Sequence, residues 1–125
     1  GAASPTATPN AGTLDVSLVN GTAGALFMVL HVFNNNLNQT APTPIPIGQW
    51  FHIEAYLKRS TDATGEAALY QDGMRVADFA NVIVDDTNWG EWFVGNLADG
   101  LTPPDSTLYV DDITIAATLG YTPPP

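Results

Sequence analysis

Between positions 50 and 58 (WFHIEAYLK) the chain changes character at every second residue: Phe51, Ile53, Ala55 and Leu57 alternate with Trp50, His52, Glu54, Tyr56 and Lys58. A period of two places successive side chains on opposite faces of a strand, so the first set is expected on a core and the second on an outer face. Residues 14–19 (LDVSLV) alternate in the same way, whereas residues 26–33 (LFMVLHVF) are apolar on both faces, as in a strand at the middle of a sandwich. Residues 66–71 and 74–79 flank Asp72-Gly73, a dipeptide suited to the positive φ angles of a tight hairpin. Further strands are expected at 82–84, 92–94 and 107–116, between clusters of Gly, Pro, Asn and Asp. No stretch reads as a capped amphipathic helix, and the expected fold class is all-β: an antiparallel two-sheet β-sandwich.

A chain of 125 residues can bury roughly two-thirds of its unfolded surface, enough for one core and too little for two domains. It contains no cysteine, so disulfides, thiolate metal clusters and thiol nucleophiles are excluded. Residues 1–13 are Ala, Thr, Pro, Gly, Ser and Asn with no large apolar side chain, and the chain closes on Thr122-Pro123-Pro124-Pro125. Both ends read as stiff spacers, a linker at 1–13 and a Pro-rich tail at 118–125, around a folded domain at 14–117. The stretch 34–48 (NNNLNQTAPTPIPIG) is expected to be a proline-rich crossover loop with Ile45 and Ile47 packed beneath it. Asn20-Gly21-Thr22 and Asn38-Gln39-Thr40 match the short glycosylation sequon.

Three basic residues stand against thirteen acidic ones, for a net charge of −10. Nucleic acids and anionic membranes are bound through clustered Lys and Arg, so both are excluded as partners. The longest apolar run, 23–33, falls short of the roughly 20 residues that cross a bilayer. No basic segment followed by an apolar one opens the chain, so a signal peptide is expected to have been removed or never present. Neutral sugars and Ca²⁺ pass these filters.

Gly48-Gln49-Trp50-Phe51-His52-Ile53-Glu54, residues 65–69, Tyr70-Gln71-Asp72-Gly73 and Leu108-Tyr109-Val110-Asp111-Asp112-Ile113 occur in that order along the chain. Together they resemble the closing strands of concanavalin A-like (laminin G-like) jelly rolls, over about residues 14–116. That superfamily includes lectin-type modules, glucanases and polysaccharide lyases. Its members are usually longer and carry earlier strands, so the resemblance implies a jelly roll shortened at its N-terminus, or a fragment needing a partner segment. It also implies a structural Ca²⁺ held by an Asp of the last strand, a place that Asp111 would take, with Asp112 beside it. Ca²⁺ takes about six to eight oxygens, so backbone carbonyls, water or other loops would supply the rest.

The glycosidases among these proteins carry acidic residues in a Glu-x-Asp-x-x-Glu-like spacing, which this chain lacks. Asp85-Asp86 and Asp111-Asp112 are adjacent pairs, whose members point to opposite faces of a strand and cannot share one bond. A lyase needs a base and a cation for the sugar carboxylate; His52, Tyr56 and Lys58 imitate such a set, but the chain is poor in cations. No catalytic residue is assigned. Binding asks for less: aromatic rings stack on the C–H face of a neutral sugar while carboxylates and amides bond its hydroxyls. His52, Glu54 and Tyr56, with Trp50, supply both kinds of group, as do Trp89 and Trp92 beside Asn88 and Glu91. His31, among Phe27, Val29 and Phe33, is expected to be a core histidine rather than a ligand.

The expected function is therefore a noncatalytic carbohydrate-binding module of a secreted or cell-surface protein, with a poly- or oligosaccharide as ligand and neighbouring modules joined through the linkers. Two alternatives stand beside it. One is a structural module that assembles through exposed strand edges, the other the C-terminal part of a polysaccharide lyase or glycoside hydrolase.

Overall fold

A computed structural model describes residues 13–84, 94 and 107–116. It contains two antiparallel sheets of three strands each. The first is β1 (Leu14–Asn20), β2 (Leu26–Val32) and β3 (Leu37–Pro44); the second is β4 (Ile53–Lys58), β5 (Gly65–Gln71) and β6 (Met74–Val82). Within each sheet sequence neighbours are sheet neighbours, with β2 and β5 in the centres, and the chain passes from one sheet to the other between β3 and β4. The only helical pieces among the described residues are two 3₁₀ turns, Thr22–Gly24 and Asn34–Asn36, and none is long and apolar enough to cross a membrane.

Burial follows the period of two in part, since Val29 and Ala68, on the opposite faces of β2 and β5, are buried as well. Met28, Leu30 and Val32 on one face of β2 join Ala41 of β3, Ile45 just after it, Ala67 and Leu69 of β5, Val76 and Ala77 of β6, and Val84 beyond β6 in one hydrophobic cluster. The two sheets thus share a core, with β3 lying against β6 and β2 against β5 and β6. Gln71 is the buried polar side chain of this region; its Nε2 donates to the Pro44 carbonyl at 3.1 Å and ties the sheets together at one end.

The β5–β6 hairpin turns at Asp72 (φ 50°) and Gly73 (φ 83°), both in the left-handed region that such a two-residue turn requires. The β2–β3 connection uses the same device, with Asn35 (φ 61°) and Asn36 (φ 50°), since Asn tolerates this region better than most residues.

Four expectations need correction. The stretch 34–48 is not a loop, because Leu37–Pro44 forms β3. Its prolines are accommodated because β3 is an edge strand and the β2–β3 register shifts between Phe27 and Val29, opposite the part of β3 that holds Pro42. Ile45 is buried beneath this strand as expected, but Ile47 is exposed. Residues 82–84 form no separate strand: Val82 ends β6, and the Val84 amide, outside any strand, donates to the Ser60 carbonyl at 3.0 Å. Residues 107–116 form no strand and are exposed throughout. Asp112 adopts φ 55° there, which breaks the extended course that alternation presupposes. Finally, β4 begins at Ile53 rather than Trp50, and its inward side is only half covered. Phe51 and Leu57 pack against the core, while Ile53 (43% exposed) and Ala55 lie open at the sheet edge. The strand expected at 92–94 falls outside the described residues except for Val94, which is exposed and in no strand.

The β4–β5 loop is organised by Asp62. Its Oδ1 accepts from the Ser60 hydroxyl (2.6 Å), the Thr64 amide (3.0 Å) and the Thr64 hydroxyl. The Ser60 and Thr64 bonds, with a smaller pull from Lys58, hold the carboxyl below its ordinary pKa of 3.8. A carboxyl lowered in the folded state stabilises it above the unfolded value, and this contribution disappears as pH falls through the folded one. Asp62→Asn keeps an acceptor oxygen but cannot titrate. Its deficit in melting temperature should be largest at neutral pH and close as the pH drops below 3.8. In the core, Leu69→Ala should cost about 2–5 kcal/mol in urea unfolding. Gly65→Ala should cost about 1–3 kcal/mol, because the added carbon would meet the Val84 side chain and stand 2.5 Å from the Val82 carbonyl oxygen.

Candidate functional site

The approach to β4 is fixed from outside the strand. The His52 amide donates to Asp72 Oδ1 (2.9 Å), and the Asp72 amide donates to the His52 carbonyl (2.9 Å). This reciprocal pair fastens residue 52 to the β5–β6 turn, where the left-handed backbone of Asp72 frees its amide and carboxylate to face the neighbouring chain. Trp50, two residues earlier, is 71% exposed.

Trp50, Phe51 and His52, with Asp111 and Asp112, line an open depression of about 380 Å³. It combines a wide aromatic face, an imidazole and two carboxylates. The acidic pair is held in a local turn in which the Asp112 amide donates to Asp111 Oδ1 at 2.8 Å. Three residues singled out from sequence, His52, Asp111 and Asp112, are thus brought together although 59 positions separate His52 from Asp111. Among the described residues no group of three or more His, Asp or Glu side chains could hold a metal. Two carboxylates fall well short of the six to eight oxygens of Ca²⁺.

Glu54 and Tyr56 do not line the depression. They lie on the outer face of the second sheet, opposite Tyr70 and Ala68 of β5. The Tyr56 hydroxyl donates to Glu66 Oε2 at 3.5 Å. Arg75 donates to the Tyr70 hydroxyl from Nε (3.2 Å) and Nη2 (2.9 Å), and pairs through Nη1 with Asp78 Oδ2 at 3.2 Å. Tyr70 first, then Asp78, makes the guanidinium hold its proton more firmly still. Sequence reasoning missed Glu66, Tyr70, Arg75 and Asp78. The signal was there, since the Asp72-Gly73 turn fixes the β5–β6 register and Glu66-x-Ala68-x-Tyr70 shares one face. Trp89 and Trp92 lie outside the described residues.

A second polar row crosses the outer face of the first sheet. Asp15, His31 and Asn38 are direct cross-strand partners, and His31 Nδ1 hydrogen-bonds Asn38 Oδ1 while its ring meets Phe33 edge-on at 4.5 Å. With the amide oxygen as acceptor, Nδ1 carries the proton. His31 is therefore half-buried on the outer face, outside the shared core. Loss of water around the Asp15 carboxyl raises its pKa, and His31 partly opposes this.

No protein-family model, curated protein or solved structure matches the chain.

The clamp at residue 72 can be tested directly. Asp72→Ala removes a charge-assisted acceptor from the His52 amide and puts a less tolerant residue at φ 50°, and should cost about 1–3 kcal/mol in urea unfolding. Asp72→Asn keeps both the acceptor and the tolerance, and should stay within about 1 kcal/mol of the parent chain.

Proposed function

We propose that this chain is a noncatalytic carbohydrate-binding module of concanavalin A-like jelly-roll type, from a secreted or cell-surface protein, that takes a neutral poly- or oligosaccharide in the depression at Trp50. One observation carries the reading: an indole 71% exposed beside His52, Asp111 and Asp112. An aromatic ring stacks on the apolar C–H face of a pyranose, while carboxylates and an imidazole accept or donate at its hydroxyls. A chain of net charge −10 disfavours acidic glycans, which leaves neutral ones. The Pro- and Thr-rich ends suit spacers between modules. Glu54 and Tyr56, on the adjoining strand, extend the surface for a longer glycan, and Trp89 and Trp92 form the second aromatic set of the proposal. A Ca²⁺ at Asp111 and Asp112 would draw its remaining oxygens from backbone carbonyls, water and the sugar itself.

Affinity electrophoresis through gels containing neutral or acidic polysaccharides tests the reading. At least one neutral glycan should retard the chain, and Trp50→Ala should weaken retention about tenfold or more, the equivalent of about 1.4 kcal/mol. Equal migration of the parent chain in every gel, or undiminished retention of Trp50→Ala, would overturn it. Repeating the gels with added Ca²⁺ or a chelator decides whether the acidic pair works through a metal, and Trp89→Ala and Tyr56→Ala map the rest of the surface.

A further inference from the structure

Two three-stranded sheets have four edges, and three of them carry features that obstruct pairing or give it no fixed register. β3 contains Pro42 and Pro44 and a register shift. The β5–β6 ladder shifts register twice, and Asn81 of β6 adopts φ 57°. β1 is regular, but its one charged residue, Asp15, has no partner of opposite sign in its own strand. β4 differs. Its ladder with β5 runs without a shift from Ile53 to Lys58, and the strand holds no proline, no glycine and no positive φ. Among the described residues it pairs with β5 alone.

The β4 sequence is also complementary to itself. When two antiparallel copies meet about a two-fold axis at Tyr56, Glu54 of each faces Lys58 of the other, and Ala55 of each faces Leu57 of the other. Tyr56 meets its own copy. Glu54, Tyr56 and Lys58 share the outer face and Ala55 and Leu57 the inner one, so opposite charges and a small-against-large apolar match recur on both sides of the axis. Opposite charges directly across a ladder attract and like charges repel, and an isologous contact doubles either effect. Two of the three cations of this acidic chain, Lys58 and Arg59, lie at this edge and are exposed. The inward side of the edge leaves Ile53 (43% exposed) and Ala55 open, which a second copy would cover.

The geometry points to a homodimer in which β4 pairs antiparallel with β4 of a second copy, joining two three-stranded sheets into one continuous six-stranded sheet. The contact uses Glu54 and Tyr56, which also extend the proposed glycan surface, but the oligomeric state is measured without any ligand, so its test stands apart from that of glycan binding.

Sedimentation velocity over a concentration series, with charge variants of the full chain, tests it. The parent chain should dimerise reversibly. Lys58→Glu and Glu54→Lys each set like charges opposite one another twice, and should raise the dissociation constant roughly tenfold or more. The double variant Glu54→Lys/Lys58→Glu restores opposite charges across the contact with their signs exchanged, although the new carboxylate at 58 faces Glu66 of its own β5, and should recover dimerisation relative to either single variant, which also shows that the substitutions leave the fold intact. A second measurement uses the absence of cysteine. Tyr56→Cys sets two thiols face to face on the axis and should give a disulfide-linked dimer under mild oxidation, whereas Ser17→Cys on β1 should stay monomeric. A parent chain that is monomeric at about 1 mM, a double variant no better than the singles, or equal cross-linking at positions 17 and 56 would each overturn the inference.

Discussion

The structure depends on two thin sheets sharing a single core. A three-stranded sheet has one central strand, and neither β2 nor β5 could bury its inner face without the other. The match is one of size. Met28 and Leu30 of β2 are large and fully enclosed, and they belong to one cluster with Ala41, Ala67 and Ala77, whose short side chains let the backbones approach. Leu69 is the large residue that the second sheet returns. At one end the Gln71 amide adds a directional bond to Pro44, and the next residue, Asp72, reaches out to hold His52. The turn between β5 and β6 therefore joins the sheets through one side chain and fixes the lip of the candidate site through the next.

Legibility in the sequence followed from which forces acted locally. The Asp72-Gly73 hairpin could be read because its constraint, two consecutive positive φ angles, is met by few residue pairs. The run of β2, apolar on both faces except at His31, marked a central strand because burial on both sides rewards such a run. β3 was hidden by its prolines and its polar residues Asn38, Gln39, Thr40 and Thr43, which an edge strand with a bulge tolerates and a central strand would not. Residues 107–116 failed in the opposite sense. Alternation shows that side chains are sorted by polarity, but a strand also needs a neighbouring backbone, and none is supplied there by the described residues.

The site was legible in its chemistry and less so in its grouping. His52, Asp111 and Asp112 stood out as residue types, and the fold assembles them around Trp50. Alternation alone would have put Trp50, His52, Glu54 and Tyr56 in one row. The row breaks because the strand begins only at Ile53: before it, the bonds to Asp72 set the backbone, so residues 50 and 52 turn toward the acidic pair while 54 and 56 stay with Tyr70 and Ala68. A register argument needs both strands to be strands.

Exposed apolar surface is the remaining constraint. Ile47, Trp50, Met74, Tyr109 and Ile115 are all more than 60% exposed, and Trp50 lines the depression. Isolated exposed apolar residues are ordinary, and Trp50 differs from the other four in lining a depression that also holds an imidazole and two carboxylates. The core is already closed by smaller residues, so the indole adds nothing to it; its ring carries area suited to contact with something flat and only partly polar. The chain's surplus of carboxylates works in the same direction. It disfavours the approach of polyanions to such a surface.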